Sequence, residues 1–349
     1  MDRQRSTGVG QDCQTGIRPK VCLRMNTHSH APVAPRPAGD LLLDARGLVK
    51  TLGGKRVVDG VDLTCGPGEV LGLLGPNGAG KTTSLRMCYG FLRPDAGSIS
   101  IAGHDLAMDG DRARRQLGVC TQDDTYDSDF TVRDNLLQTA RYYRPRIDGL
   151  GARVDELLHR FGLDAFARHK PEMLSGGYKR RLMIARAVVH RPRLVFLDEP
   201  TTGLDPQARV AVWELISGLR AAGMGVVLTT HYMDEAERLS DRLLVLQGGS
   251  VRASGVARSV LGDVVGEHVV VLPSDDPRAP QVAAWLAGRG ARPAPVLANW
   301  HIALDGPGLA AFVAAFVDLR YEVRAPTLDD LFLTLAAETA AGIATQGTP

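Results

Sequence analysis

The chain has 349 residues, 44% of them hydrophobic and 23% charged, with a formal net charge of +2. That apolar content is enough for one large or two modest globular units, and it excludes a wholly disordered or collagen-like chain. So small an excess of basic charge argues against nucleic acid as the partner, and no apolar run reaches the ~18 uninterrupted residues that a spanning helix needs.

In chain order, residues 1–40 are rich in Pro, Gly, Ser and His, lack a periodic apolar pattern and read as a flexible leader. They carry no apolar h-region, so they are not a signal peptide, and Met25-Asn26-Thr27 offers an alternative translation start. The five cysteines (Cys13, Cys22, Cys65, Cys88 and Cys120) are an odd number with no C-x-x-C pair. Reduced thiols follow, with no disulfide framework.

From Leu41 to about Gly255 short apolar runs alternate with amphipathic stretches, the succession of an α/β domain. Strands are expected at Val70 to Leu74, Leu117 to Thr121, Leu194 to Leu197, Val226 to Thr230 and Leu243 to Leu246. The middle ones end in polar residues suited to face a ligand at the carboxyl edge of a parallel sheet. Arg133 to Leu163 reads as helical. Near Val265 the pattern changes to strand (His268 to Leu272), helix (Gln281 to Gly288), strand (Trp300 to Leu304), helix (Leu309 to Leu319), strand (Tyr321 to Arg324) and helix (Leu328 to Ala337). The expected division is a leader (1–40), a large α/β unit (41–264) and a small α+β domain (265–349).

The chemistry begins at Gly75-Pro76-Asn77-Gly78-Ala79-Gly80-Lys81-Thr82, a G-x-x-x-x-G-K-[ST] loop between an expected strand and an expected helix that opens at Thr83. Its glycines let successive N–H groups turn inward onto phosphate oxygens above a helix N-terminus. Lys81 reaches the terminal phosphates and Thr82 offers a hydroxyl to Mg²⁺. Leu194-Val195-Phe196-Leu197-Asp198-Glu199 reads as a buried strand ending in two acids. Beside a phosphate cradle, Asp198 is placed as the Mg²⁺ partner and Glu199 as the carboxylate that polarises the attacking water.

Between these stands Leu174-Ser175-Gly176-Gly177-Tyr178, followed by the basic Lys179-Arg180-Arg181. With Leu197-Asp198-Glu199-Pro200-Thr201-Thr202-Gly203-Leu204-Asp205-Pro206 and Thr229-Thr230-His231, the chain resembles the ATP-binding cassette (ABC) family over about Leu41 to Gly255. The resemblance implies a P-loop NTPase cassette with a helical subdomain, ATP and Mg²⁺ as cofactors, and a nucleotide set extending to Thr83. It implies that Ser175, Gly176 and Gly177 present a hydroxyl and helix N-terminal amides to the γ-phosphate held by a second copy. Gln122 resembles the glutamine that touches Mg²⁺ and the water, Asp205 the residue that crosses the dimer interface, and His231 the switch histidine that bonds the γ-phosphate.

Other features read more plainly. The acids Asp123, Asp124, Asp127 and Asp129 form a solvated loop or, by the resemblance, a contact with a membrane partner. Lys179, Arg180, Arg181 and Arg186 read as a solvated helix face, Trp300 as a core strand residue and His301 as a surface one. Leu52 stands where most cassettes place an aromatic ring against adenine, and no Phe, Trp or Tyr occurs from Leu41 to Cys88.

A narrower resemblance rests on Asp129-Phe130-Thr131-Val132-Arg133-Asp134-Asn135-Leu136, Arg141-Tyr142-Tyr143 and Pro326-Thr327-Leu328-Asp329-Asp330-Leu331-Phe332. These are similar to ATP-binding subunits of nodulation-factor (lipo-chitooligosaccharide) exporters and of daunorubicin-type drug exporters. The implied protein is an ATPase that powers a separate, NodJ-like integral-membrane permease from the cytoplasmic face of the inner membrane, as a dimer that sandwiches ATP. Drugs or other lipids and polysaccharides are alternative cargoes. A soluble cassette ATPase acting on ribosomes or DNA would usually carry two cassettes or a coiled-coil insertion, and this chain has neither. A GTPase reading fails because the Asn-Lys-x-Asp guanine reader occurs nowhere in the sequence.

Overall fold

The first strands, β1 (Leu43–Leu52) and β2 (Lys55–Cys65), form an antiparallel hairpin through Gly53-Gly54. No strand is expected before Val70 from the sequence, because register shifts between Ala45 and Leu48 and again before Thr51 break the period-2 alternation. These elements belong to a computed structural model that describes residues 41–335. The leader, Met25, Cys13, Cys22 and the end of the last expected helix lie outside the described residues.

The chain continues through β3 (Val70–Leu74), α1 (Lys81–Cys88), β4 (Ala96–Ile101), β5 (His104–Asp105), α2 (Gly110–Arg115) and β6 (Leu117–Cys120). Next come α3 (Val132–Arg141), α4 (Leu150–Arg160), α5 (Gly176–Ala187), β7 (Leu194–Asp198), α6 (Pro206–Ala221) and β8 (Gly225–Thr229). Then follow α7 (Met233–Leu239), β9 (Arg242–Gln247) and β10 (Ser250–Gly255). The expected helix from Arg133 to Leu163 is two helices. Pro145 has no N–H to continue the first, and Gly149, at φ 62°, turns the chain into the second.

Two sheets build the nucleotide-binding unit. One is antiparallel, in the order β2-β1-β4-β5. The other runs β10-β9-β3-β8-β7-β6, parallel except for the edge strand β10. Strands β3, β7 and β8 are buried along their whole length, as expected when both faces are covered. In β7, Val195 and Leu197 join a core with α3, α4, α5 and α6, while Leu194 and Phe196 join a second core with α1 and the antiparallel sheet. The parallel strands therefore present their carboxyl ends at one edge, in the order β3, β8, β7, β6.

After α8 (Ala257–Val264) come β11 (His268–Pro273), α9 (Ala279–Ala287), β12 (Ala294–Val296), β13 (Asn299–Leu304), α10 (Gly306–Ala315) and β14 (Glu322–Arg324). Their antiparallel sheet has the order β12-β13-β11-β14, a ferredoxin-like arrangement. Val270, Leu272 and Ile302 face α9 and α10, and Val269 faces the other way. There a helix over residues 328–335 buries Leu328, Leu331 and Leu335 against Leu74, Leu243 and Val245 of the parallel sheet. Burial of each such leucine is worth roughly 1.5–3 kcal/mol, so this helix joins the two units firmly.

Candidate nucleotide site

The phosphate cradle leaves the buried end of β3. Gly80 caps α1 at φ 100°, and a Cβ there would stand 2.6 Å from the carbonyl oxygen of Val57. Glycine is therefore required both by conformation and by the close approach of β2. At Gly75 a Cβ would strike the Leu246 carbonyl oxygen at 2.2 Å. Asn77 and Gly78 are exposed at the tip, Pro76, Thr82 and Thr83 are half-buried, and Ala79 is buried.

Lys81 is 6% exposed and its ammonium donates to the carbonyl oxygens of Gly75 at 2.7 Å and Pro76 at 3.2 Å. Burial lowers its pKa, and the charges of Glu199 and Asp198 oppose that shift. The lysine is thus folded across the loop whose amides it serves.

Asp198, at the end of β7, is 4% exposed and accepts from the Thr229 hydroxyl at 2.6 Å. Burial pushes its carboxyl up, the Glu199 charge adds to that, and bonds from the Thr229 and Thr82 hydroxyls pull it down. Asp198 and Thr82 therefore adjoin at the foot of the cradle.

Glu199 has φ 47°, a left-handed conformation that non-glycine residues seldom adopt outside functional sites. Its N–H donates to the Thr229 carbonyl and hydroxyl oxygens at 3.1 and 3.0 Å, which fixes the turn. Three side chains then meet at Oε2: Gln122 Nε2 donates at 3.3 Å, the Thr202 hydroxyl donates at 3.1 Å, and His231 Nδ1 lies at 3.4 Å. Gln122 follows β6, Glu199 follows β7 and His231 follows β8, so the order of the sheet brings the three expected catalytic residues together.

Ser175, Gly176 and Asp205 stand apart from this cluster. Ser175 is the N-cap of α5, is exposed, and makes no side-chain cap bond. Its hydroxyl and the first amides of α5 are free to meet an anion. The second glycine has a packing reason, since a Cβ on Gly177 would stand 2.8 Å from Ala208 Cβ of α6, whereas on Gly176 nothing comes nearer than 3.6 Å. Asp205 caps α6, accepting from the Ala208 N–H at 2.9 Å, and remains exposed.

The basic run is not a solvated face. Arg180 is 7% exposed and donates to the carbonyl oxygens of Thr121, Gln122 and Glu199 at 2.8, 3.2 and 3.5 Å. Arg186 donates to the Thr139 hydroxyl at 2.9 Å. A helix wedged between strand ends and a second helical layer meets carbonyls on the side that its sequence marks as polar. Thr202, Thr229 and Arg180 are the site residues that sequence reasoning missed. A threonine ending a buried strand next to an acid was the available signal for Thr229.

One further expectation changes. His301 is no surface residue: Nδ1 lies 3.2 Å from Oδ1 of buried Asp330, which also accepts from Arg324 and Thr327. The acidic loop is exposed and internally tied, with the Asp127 N–H donating to Asn135 at 2.9 Å. Leu52 ends β1 and is 43% exposed.

Residues 58–202 match the family model described as ABC transporter. The chain is 41% identical over 316 residues to the Nod factor export ATP-binding protein I of Burkholderia lata, covering 87% of this chain and 97% of that protein. It is 40% identical over 304 residues to the protein of the same name in Rhizobium johnstonii, covering 86% and 97%. Among solved structures, an ATP-binding subunit of an ABC transporter superposes with TM-score 0.58 at 32% identity, over 63% of this chain and 92% of that one. The dimeric cassette MJ0796 superposes with TM-score 0.56 at 29% identity, over 61% and 98%.

Proposed function

The chain belongs to the ABC transporter family as an ATP-binding, ATP-hydrolysing subunit, and from that premise we propose that it drives export through a separate membrane permease, with Glu199 as the group that activates water. The observation that carries the reading is the meeting of Gln122, Thr202 and His231 at one oxygen of Glu199. A carboxylate held this way can accept a proton from water while its neighbours orient the water and the γ-phosphate.

In this reading the amides of Gly75 to Thr82, with Thr83 behind them, and the ammonium of Lys81 hold the phosphates. Thr82, Asp198 and Gln122 offer hydroxyl, carboxylate and amide oxygens, a hard donor set that suits Mg²⁺ completed by phosphate and water. Among the described residues no group of three or more His, Cys, Asp or Glu could hold a metal alone, which fits an ion that arrives with its nucleotide. When bound, the ion neutralises charge on the transferring phosphoryl group. Ser175, Gly176 and Gly177 of one copy close the site of the other, and Asp205 lies on the same side.

Among the described residues no helix is long and apolar enough to cross a membrane, so the membrane passage is assigned to a partner chain. The name of these relatives suggests the cargo to test, a Nod factor, and the reading adds a permease of NodJ-like type with this chain at the cytoplasmic face of the inner membrane. Affinity purification of the tagged chain from membranes of its host tests this. A multi-span permease should copurify, and deletion of the chain should remove a lipo-chitooligosaccharide from the medium. Recovery of the chain with ribosomes or DNA, and no permease, would contradict it.

A further inference from the structure

Thr201 and Thr202 are consecutive, and their hydroxyls donate to two different carboxylates. Thr202 bonds Glu199 Oε2 at 3.1 Å, and Thr201 bonds Glu235 Oε1 at 2.8 Å. Glu235 is 0% exposed and sits in the first turn of α7, the helix that follows His231. The same Oε1 accepts from the indole N–H of Trp213, on α6, at 3.0 Å. One buried carboxylate therefore touches the segment between Glu199 and Asp205, the helix that Asp205 caps, and the helix behind the switch histidine.

A carboxylate is a costly way to fill a helix interface, because burial destabilises its charge unless donors are in place. Burial does push the Glu235 carboxyl up, and the Thr230, Thr201 and Trp213 donors draw it back. A leucine would pack the same space without that cost, so packing alone does not account for the residue. A second clasp acts in parallel. Arg209 of α6 lies 4.1 Å from the ring centroid of Tyr232, and its Nη1 stands 3.3 Å from Asp234 Oδ2. The segment carrying His231 is thus held to α6 on both sides of Met233.

We propose that Glu235 is a positioning residue for hydrolysis: through Thr201 and Trp213 it locks the Glu199–Asp205 segment and the His231 segment into one body. The inference rests on the reading of Glu199 and His231 as hydrolytic groups. The Thr201-Thr202 backbone is the lever. A shift of Thr201 carries Thr202, and with it Oε2 of Glu199, while a shift of α7 carries His231. With the lock in place the 3.4 Å approach of His231 to Glu199 is kept as the two segments move together. Glu235 itself is fully buried behind Thr201 and Trp213, so it governs turnover and leaves ATP affinity to the cradle.

The test measures kcat and KM for ATP with the purified full chain, together with the thermal midpoint of each variant. Glu235→Leu, which keeps volume and loses the acceptor, should lower kcat at least tenfold with KM within twofold. Glu235→Gln keeps an oxygen for both donors and should return kcat to within threefold of wild type. Thr201→Val and Trp213→Phe, each deleting one donor, should fall between. If Glu235→Leu does not fold, those two variants carry the test. Wild-type kcat in the folded donor variants, or equal losses in the Gln and Leu variants, would overturn the proposal. Glu199→Gln is run alongside: if it keeps full turnover, the hydrolytic reading fails whatever the Glu235 variants do.

Discussion

Arg180 donates from a nearly buried position to the carbonyl oxygen of Thr121 at 2.8 Å, so the helix that begins after Ser175 holds the strand end that presents Gln122. Through the carbonyls of Gln122 and Glu199 the same guanidinium touches both sides of the hydrolytic cluster. In the proposed mechanism, movement of α5 against the sheet would reach Gln122 and Glu199 through these bonds.

Arg180→Met should therefore do more than destabilise. Leaving buried carbonyls without their charged donor costs about 1–3 kcal/mol of folding stability, read by urea denaturation. Turnover of the folded variant should fall roughly tenfold, the loss expected for ~1.4 kcal/mol of misplacement in the transition state. Unchanged turnover per folded molecule would show that α5 does not position Gln122.

By the proposed reading, Leu52 would offer the base apolar surface without a ring. Stacking of an aromatic side chain on a base is worth roughly 1–3 kcal/mol, and the phosphates supply most of the binding in either case. Wild type should then prefer ATP little over GTP. Leu52→Tyr should tighten ATP several-fold in a titration and leave kcat nearly unchanged. Unaltered affinity would place the base against another residue.

Asp330 ties the last helix to its own small sheet by charge, bonding Arg324 of β14 and lying beside His301 of β13. Burial would raise its pKa, but Arg324 and Thr327 bond its charged form and hold it at about 2, below the ordinary 3.8. A depressed folded pKa means stability that is present in full above about pH 4 and lost as pH falls through about 2. Asp330→Asn should cost about 2 kcal/mol in denaturation at pH 7 and almost nothing at pH 2. An equal cost at both values would assign the effect to shape alone.

The composite arrangement makes its own prediction. Ser175→Arg should abolish hydrolysis while leaving nucleotide binding by the isolated subunit intact, because the cradle lies in the same chain and the lost helix N-terminus serves the other copy. Lys81→Ala should fail for the opposite reason. Mixing the two inactive variants creates dimers with one doubly damaged and one intact site, so activity should reappear. Mixtures that stay inactive would argue against sites shared between copies.

The cradle was legible in the sequence from its glycine spacing between a strand and a helix, the acids of β7 from a buried strand read beside that cradle, and His231 only through the resemblance to the ABC family. Their meeting at Glu199 Oε2 was not, since strand order and the left-handed turn at Glu199 are tertiary facts. Arg180 was hidden for a related reason. Helical periodicity marks it as polar, and nothing local shows that three carbonyl oxygens stand opposite it. The bulged hairpin of β1 and β2 escaped a period-2 reading, and the break at Pro145 was overlooked although its residues announce it. In the last unit, alternation located β11 and β13 well, yet it labelled His301 a surface residue, because its partner Asp330 lies on the far side of β14 in sequence.

In the proposed mechanism Glu199, held by Gln122, Thr202 and His231, activates the water that cleaves ATP. Glu199→Gln preserves shape and hydrogen bonding but removes the proton acceptor. Single-turnover and steady-state ATP hydrolysis by the purified chain, with sedimentation in the presence of ATP, measures the consequence. The expected result is a rate lower by about 10²- to 10⁴-fold, unchanged ATP binding and a dimer that persists while ATP remains. Near wild-type turnover in Glu199→Gln would contradict it.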